Sequence, residues 1–209
     1  FNQGTWEGIE EFAEENDKTI KYYKPTAITL DAYVAAIDLA VKGGAKVVVT
    51  PGFLFENSVH KAQSLYPDVT FIIIDGSPHN VADWDTMETY DGEDPDFTIG
   101  ENTLSIFFQE EQSGFLAGYA SVMEGFDVLG FMGGMAVPAV VRFGAGYVAG
   151  ALYAAEEKGL AQAAALAIVP ANRYTYLNTF APDDTIVTQA TAWFNGGVDV
   201  IHAAAGGAG

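Results

Sequence analysis

The sequence predicts an α/β protein of two lobes, each built on a doubly wound parallel sheet. Three observations carry that reading. Strand-like apolar runs at 46–50, 70–75, 126–132 and 198–203 alternate with segments of helical periodicity. The run at 70–75 is continuously apolar rather than alternating, as a parallel strand covered on both faces is. Small residues also recur at helical spacing. Gly114, Ala117, Gly118 and Ser121 fall at i, i+3, i+4 and i+7, and Gly146, Gly150 and Ala154 follow every four residues. Such faces predict helices lying close against a neighbour.

Taken in order, Asn2 is a good N-cap for a helix reaching about Glu15, with Trp6, Ile9 and Phe12 turned inward. Residues 18–23 read as a strand. Asp31 is expected to cap a second helix that ends near Gly43 and Gly44, ahead of the strand at 46–50. Pro51 and Gly52 turn the chain out, and a third helix covers 57–65. The strand at 70–75 leads into an acidic segment, 76–96, holding Asp83, Asp85, Glu88, Asp91, Glu93, Asp94 and Asp96. EF-hand spacing is missing there, so a solvated loop outweighs a calcium loop. Residues 97–108 are extended and cross to the second lobe, dividing the chain into 1–104 and 105–209.

The second lobe opens on the small-faced helix, followed by the buried strand 126–132 and the turn Gly133-Gly134. Residues 136–143, with Pro138 and Arg142, make a poor central strand. The next helix runs to about Lys158, and the alanine-rich stretch 159–170 shows no usable periodicity. A strand at 174–180, a helix from Pro182-Asp183-Asp184 to Trp193, and a strand at 198–203 complete the rhythm.

Composition removes several functions. The chain of 209 residues carries 28 acidic against 9 basic residues, a net charge of −19. Nucleic acid is excluded as a partner, because phosphate contacts need a basic patch. A carboxylate-rich, lysine-poor surface also suits high salt, though acidic extracytoplasmic binding proteins carry one too. With no cysteine, disulfides, thiolate metal sites and thiol catalysis are unavailable. No apolar run approaches the roughly 18 residues of a membrane span. The chain opens at a helix cap and stops on the exit loop of a strand, which reads as a piece lacking a first strand and a C-terminal portion.

The chemical motifs are sparse. Residues 144–150 form GxGxxxG, near a dinucleotide fingerprint, but the acidic residue expected some 20 positions on would fall in the alanine-rich stretch, where there is none. Helix packing is the better reading. His60 reads as a surface residue, His79 as solvated in the acidic loop, and His202 as ending the last strand and facing its exit loop. No metal triad follows from that spacing, and no GxSxG is present. Glu110-Glu111 and Asp183-Asp184 stand at helix starts, where a carboxylate favours the dipole. Aromatic and polar residues cluster instead at strand exits: Phe1 and Asn2, Gly52 and Phe53, and His202 to Gly206. An aromatic pair there could stack on a flat ligand.

These residues carry a resemblance. The opening Phe1-Asn2-Gln3-Gly4-Thr5-Trp6-Glu7-Gly8 resembles the SFNQ segment of the basic membrane protein family of solute-binding lipoproteins. Residues 49–53, 66–71 and Ile74-Asp75 follow at the family's spacing. Residues 114–118, 130–134, Val137-Pro138, Arg142-Phe143 and Gly150 resemble its most diagnostic block. Residues 197–201 with 204–207 resemble its later strand. The resemblance implies a type I periplasmic-binding fold, with a hinge and a ligand held between lobes. It also implies binding of a purine nucleoside for an ABC importer's permease, from an extracytoplasmic, lipid-anchored position at the cell surface or in the periplasm. By that analogy Phe1 stacks on the base, Asn2 makes a polar contact, and Gly52 and Phe53 line the site. His202, Ala205 and Gly206 complete the expected ligand set. His202 stands where many members carry phenylalanine. No catalytic residue, metal or cofactor is expected. The alternatives are the same fold binding another solute as a sensor or regulator, and a nucleotide-dependent enzyme.

Overall fold

A computed structural model describes residues 2–160 and 168–209; of Asn2 it describes the backbone alone. Phe1 and most of the alanine-rich stretch lie outside the described residues. The chain divides into two compact units, Phe1–Phe107 and Phe108–Gly209.

In the first unit, α1 (Asn2–Glu15) precedes α2 (Leu30–Lys42), β1 (Val47–Pro51), a 3₁₀ turn (Phe53–Phe55), α3 (Glu56–Leu65), β2 (Thr70–Ile74), β3 (Val81–Asp83), β4 (Glu88–Thr89) and β5 (Thr103–Ile106). The main sheet is parallel, in the order β1-β2-β5, and β3 and β4 form a separate antiparallel hairpin. Its core joins Ile37 and Ala40 of α2 and Val59 and Ala62 of α3 to Val48, Phe71 and Ile73 of the sheet. β2 buries Phe71 and Ile73 fully and Ile72 and Ile74 only in part, so its continuous apolar run does not bury evenly.

Local chemistry corrects several expectations. Thr29, not Asp31, caps α2, its Oγ1 accepting from the Ala32 N–H at 3.3 Å, while Asp31 sits in the first turn. Residues 18–23 form no strand; their segment pairs with none of the described strands. Phe12 is 59% exposed, and Ala13 takes the inward position on α1. The acidic segment is solvated as expected, all seven of its acidic residues being exposed, but its base is pinned. Asn80 is buried, its Nδ2 donating to Asp91 Oδ1 and the Asp94 carbonyl and its Oδ1 accepting from the Asp96 N–H at 2.7 Å. His79 is buried rather than solvated: its Nδ1 accepts from the Val81 N–H and its Nε2 donates to Glu56. His60 is tied down as well, bridging Tyr90 Oη at 2.9 Å and Asp96 Oδ2 at 3.0 Å. Polar anchors thus pin the base of this segment, where the buried donors and acceptors of His79 and Asn80 find partners, while its carboxylates stay exposed.

The second unit runs α4 (Glu110–Met123), β6 (Leu129–Gly133), α5 (Pro138–Glu157), β7 (Tyr174–Tyr176), α6 (Asp184–Asn195) and β8 (Val200–Ala204). Its sheet is parallel, in the order β7-β6-β8. Every residue of β6 is buried. Leu129 and Phe131 join the α4–α5 core, whereas Met132 packs with Trp193 of α6. Pro138 does not sit in a strand; it occupies the first turn of α5, where its missing N–H costs nothing.

The small faces meet each other. A Cβ on Gly114 or Gly118 would strike the carbonyl oxygens of Phe143 and Tyr147, and one on Gly146 or Gly150 would strike those of Glu111 and Phe115. The two backbones are thus in contact at four glycines. GxGxxxG is spent on this crossing, together with Gly144, whose Cβ would meet the Tyr174 hydroxyl and the Phe131 ring.

His202 needs a further correction. β8 continues two residues past it, so the imidazole does not end the strand. It pairs with Phe131 in register and stacks on Tyr147 of α5 at 4.9 Å between centroids. Its Nε2 is buried with no hydrogen-bond partner among the described residues, and burial holds its pKa below the ordinary 6.5.

Two predictions follow from this packing. Gly118→Ala should destabilise the protein by about 1–3 kcal/mol or more, since α5 must move off α4. Gly8→Ala, on an exposed stretch of α1 with open space around it, should stabilise by about 0.5–1 kcal/mol; urea unfolding of both variants checks the contrast. For His202, the lowered folded pKa means that only the unfolded chain takes up the proton. Its contribution is therefore complete above pH 6.5 and lost as pH falls below that value. His202→Phe should flatten this part of the urea-unfolding profile between pH 8 and 5, the variant losing less stability than the parent as pH falls.

Candidate functional site

Parallel α/β sheets present their ligand sites at the carboxyl ends of the strands, because the crossover helices leave the chain room to turn there. In the first unit β1 ends at Pro51, and Gly52 takes φ 92°, a backbone that favours glycine, with its N–H donating to the Ile74 carbonyl at 2.7 Å. Phe53 then opens the 3₁₀ turn, half-buried, while Phe55 packs edge-on against Tyr33 at 4.6 Å. β2 ends one residue before Asp75, which adopts φ 57° and donates its N–H to the Ile106 carbonyl at 2.7 Å. A left-handed aspartate directly after a central strand is a backbone cost of the kind that concentrates at working loops.

Glu56 locks these two exits to each other. From the first turn of α3 its Oε1 accepts from the Ser77 N–H at 2.9 Å and its Oε2 meets His79 Nε2 at 3.0 Å. Because His79 Nδ1 accepts from a backbone N–H, the ring carries its proton on Nε2, facing the carboxylate. A half-buried aromatic, a half-buried carboxylate and a fixed backbone turn therefore share one edge of the sheet.

In the second unit three exits converge. The Gly134 N–H donates to the Ala204 carbonyl at 3.0 Å, and the Leu177 N–H donates to the Gly133 carbonyl at 2.8 Å. Phe180 lies over this junction. A Cβ on Gly134 would strike its ring, and one on Gly206, at φ 56°, would come within 3.6 Å of it. Ala205 is buried, so its side chain packs, and only its backbone reaches the turn. Beside the exit of β7 lies a hollow of about 310 Å³ lined by Leu177, Thr179, Pro182, Asp183 and Thr185. Asp183 caps α6, and its bonds from the Thr185 hydroxyl and N–H hold its carboxyl below the usual range. A second hollow, of about 270 Å³, opens at the amino ends of β1 and β2, around Lys46, Tyr66 and Val69. It is at the wrong end of those strands for a ligand site of this kind.

Of the residues expected from sequence, Gly52 and Phe53 stand together at the first unit's exits, and Ala205 and Gly206 at the second unit's. His202 lies beneath α5, away from that turn. Phe1 and the Asn2 side chain fall outside the described residues. Sequence reasoning passed over Asp75 and Phe180 as site residues. Asp75 had a signal, a carboxylate followed by glycine at the end of an apolar run; Phe180 had none, since its glycine seat comes from two distant turns. Among the described residues no group of His, Asp and Glu could hold a metal ion.

The family model for Bmp, ABC transporter substrate-binding protein PnrA-like, matches residues 1–209. Basic membrane protein B of Borreliella burgdorferi is 28% identical over 212 residues, covering 100% of this chain and 54% of its own. The ABC transporter nucleoside-binding protein BmpA of Lactococcus lactis is 27% identical over 212 residues, covering 100% and 52%. The chain thus spans about half the length of the curated relatives it matches. Among solved structures, the ABC transporter solute-binding protein of Aeropyrum pernix aligns with TM-score 0.68 at 23% identity, over 96% of this chain and 50% of that one. The transcriptional activator of the comK gene from Bacillus halodurans aligns with TM-score 0.70 at 18% identity, over 99% and 60%. At such identities the structural likeness is one of fold, the α/β class with parallel sheets that the sequence predicts. The chain belongs to the Bmp family of PnrA-like ABC transporter substrate-binding proteins.

Proposed function

We propose that this chain forms part of an extracytoplasmic solute-binding protein that captures a nucleoside, most favourably a purine nucleoside, and delivers it to an ABC importer. The observation that carries the reading is the pairing, at strand exits, of an aromatic ring with fixed backbone turns. Phe53 stands beside Gly52 and Asp75 in one unit, and Phe180 on Gly134 and Gly206 in the other. Aromatic faces suit a flat base, and a carboxylate accepts hydrogen bonds from the exocyclic or ring N–H groups of a purine. The named nucleoside-binding relative from Lactococcus lactis supports the same ligand class. Phe1 and Asn2 join this set in the proposal as stacking and polar partners, with Ala205 contributing backbone.

In this reading the protein does no chemistry. It holds its ligand, presents it to the permease, and is kept at the cell surface or in the periplasm by a lipid anchor. No helix among the described residues is long and apolar enough to cross a membrane.

The experiment is a ligand titration of the intact protein with adenosine, guanosine, inosine and uridine, followed by melting temperature. At a hundredfold excess over Kd a ligand adds about 2.7 kcal/mol, which should raise the melting temperature by several degrees. The purine nucleosides should act at lower concentration than uridine. Phe53→Ala and Phe180→Ala should each weaken binding by about tenfold or more at a temperature where each variant is still folded. The nucleoside should be recovered without release of free base. If no nucleoside shifts the melting temperature, the ligand class is wrong.

A further inference from the structure

The acidic hairpin of the first unit has a construction that solute capture does not use. Between Val81 and Phe97 it carries seven carboxylates and no lysine or arginine. Asp83, Asp91 and Asp96 are spent internally, accepting bonds from Asp85, Asn80 and Thr98 among others. The carboxylates of Asp85, Glu88, Glu93 and Asp94 accept no hydrogen bond among the described residues, and all four are exposed.

Among these charges stand large apolar side chains facing water: Trp84 at 60% exposure, Met87 at 40% and Phe97 at 49%. They are held in place. Trp84 stacks on Phe97 at 6.1 Å and meets the buried His79 ring at 4.8 Å. Beneath them, Asn57 donates to the His79 and Val81 carbonyls at 2.8 and 2.9 Å, and Asn80 ties the base of the hairpin to the segment that follows it, at Asp94 and Asp96. A tryptophan and a phenylalanine displayed on a rigid, hydrogen-bonded base keep little conformational entropy to lose on binding, which is the property of an interaction anchor.

We propose that this hairpin is a docking surface for a protein partner that presents lysine or arginine around an apolar pocket. Trp84 would fill the pocket, and Asp85, Glu88, Glu93 and Asp94 would pair with the surrounding cations. The charge selects the partner. Seven carboxylates repel nucleic acid phosphates and anionic lipid, and a second copy of this chain would bring the same sign of charge to the same face. The surface is separate from the strand exits, so its test is independent of which solute is captured.

The test uses the intact chain and a synthetic helical peptide of leucine and lysine, with binding followed by calorimetry. Trp84→Ala, and the pair Asp85→Asn with Glu88→Gln, should each weaken binding by about tenfold or more. Removing the same charge from α1, as Glu10→Gln with Glu14→Gln, should change it by less than about twofold, and added salt should weaken it. Vesicles of phosphatidylglycerol should not bind. Equal loss from the two charge pairs would reduce the effect to net charge and overturn the proposal. So would a Trp84→Ala variant that binds normally, an absence of peptide binding, or Trp84-dependent binding to the vesicles.

Discussion

The second unit depends on one contact, the glycine-lined crossing of α4 and α5. Helices normally keep 8–10 Å between axes because side chains intervene. Here Gly114 and Gly118 admit the α5 backbone, and Gly146 and Gly150 admit the α4 backbone, so the pair behaves as a single thick slab. With the helices that close, Tyr147, Ala151 and Ala154 can all be buried against Leu129 and Phe131. On the other face of β6, Trp193 packs over Met132, and the strand is enclosed along its length. Its exit, Gly133-Gly134, is then held where β7 and β8 also end. The seat of Phe180 is a consequence of that convergence, since it requires Gly134 and Gly206 side by side.

The first unit reaches order by another route. Its apolar core is modest, and its long connections are fastened by buried and half-buried amides. Asn102 donates to the carbonyls of Gln63, Tyr66 and Val69, Gln63 reaches Thr98 and Gly100, and Asn80 closes the acidic hairpin. Each such bond contributes only about 1 kcal/mol net, but losing one buried partner costs more than that, so the network is specific in shape. Glu56 belongs to it, and through Ser77 and His79 it joins the exit of β2 to the base of the hairpin that carries Trp84.

The negative charge acquires a structural meaning in this light. Much of it is solvated surface, as on α1, and speaks to solubility. Some is structural: Asp83 and Asp183 hold turns and a helix start by accepting backbone N–H bonds, and Asp96, held by Thr98 and then by His60, is drawn down to about 2. Counting acidic residues could not separate these roles, because they differ only in which donors the fold brings near.

What the sequence determined by itself is local. The alternation of strands and helices, the bounds of α1, the strands expected at 46–50 and 70–75 to within a residue and the small faces of α4 and α5 were legible, because periodicity records which side of an element is apolar; the strand expected at 126–132 begins only at Leu129, Phe126 being 41% exposed. The family was legible too, since its motifs are short and contiguous. Only the tertiary structure decided what covers each face. It set the two small faces against each other, buried His79, tied His60 to Tyr90 and Asp96, and placed His202 on Tyr147 rather than at a strand exit. It gave residues 18–23 no strand to pair with and started a helix at Pro138. It also brought Phe180 onto two glycines 72 positions apart. Those outcomes rest on contacts between residues far apart in sequence, and no periodicity within either partner encodes the other.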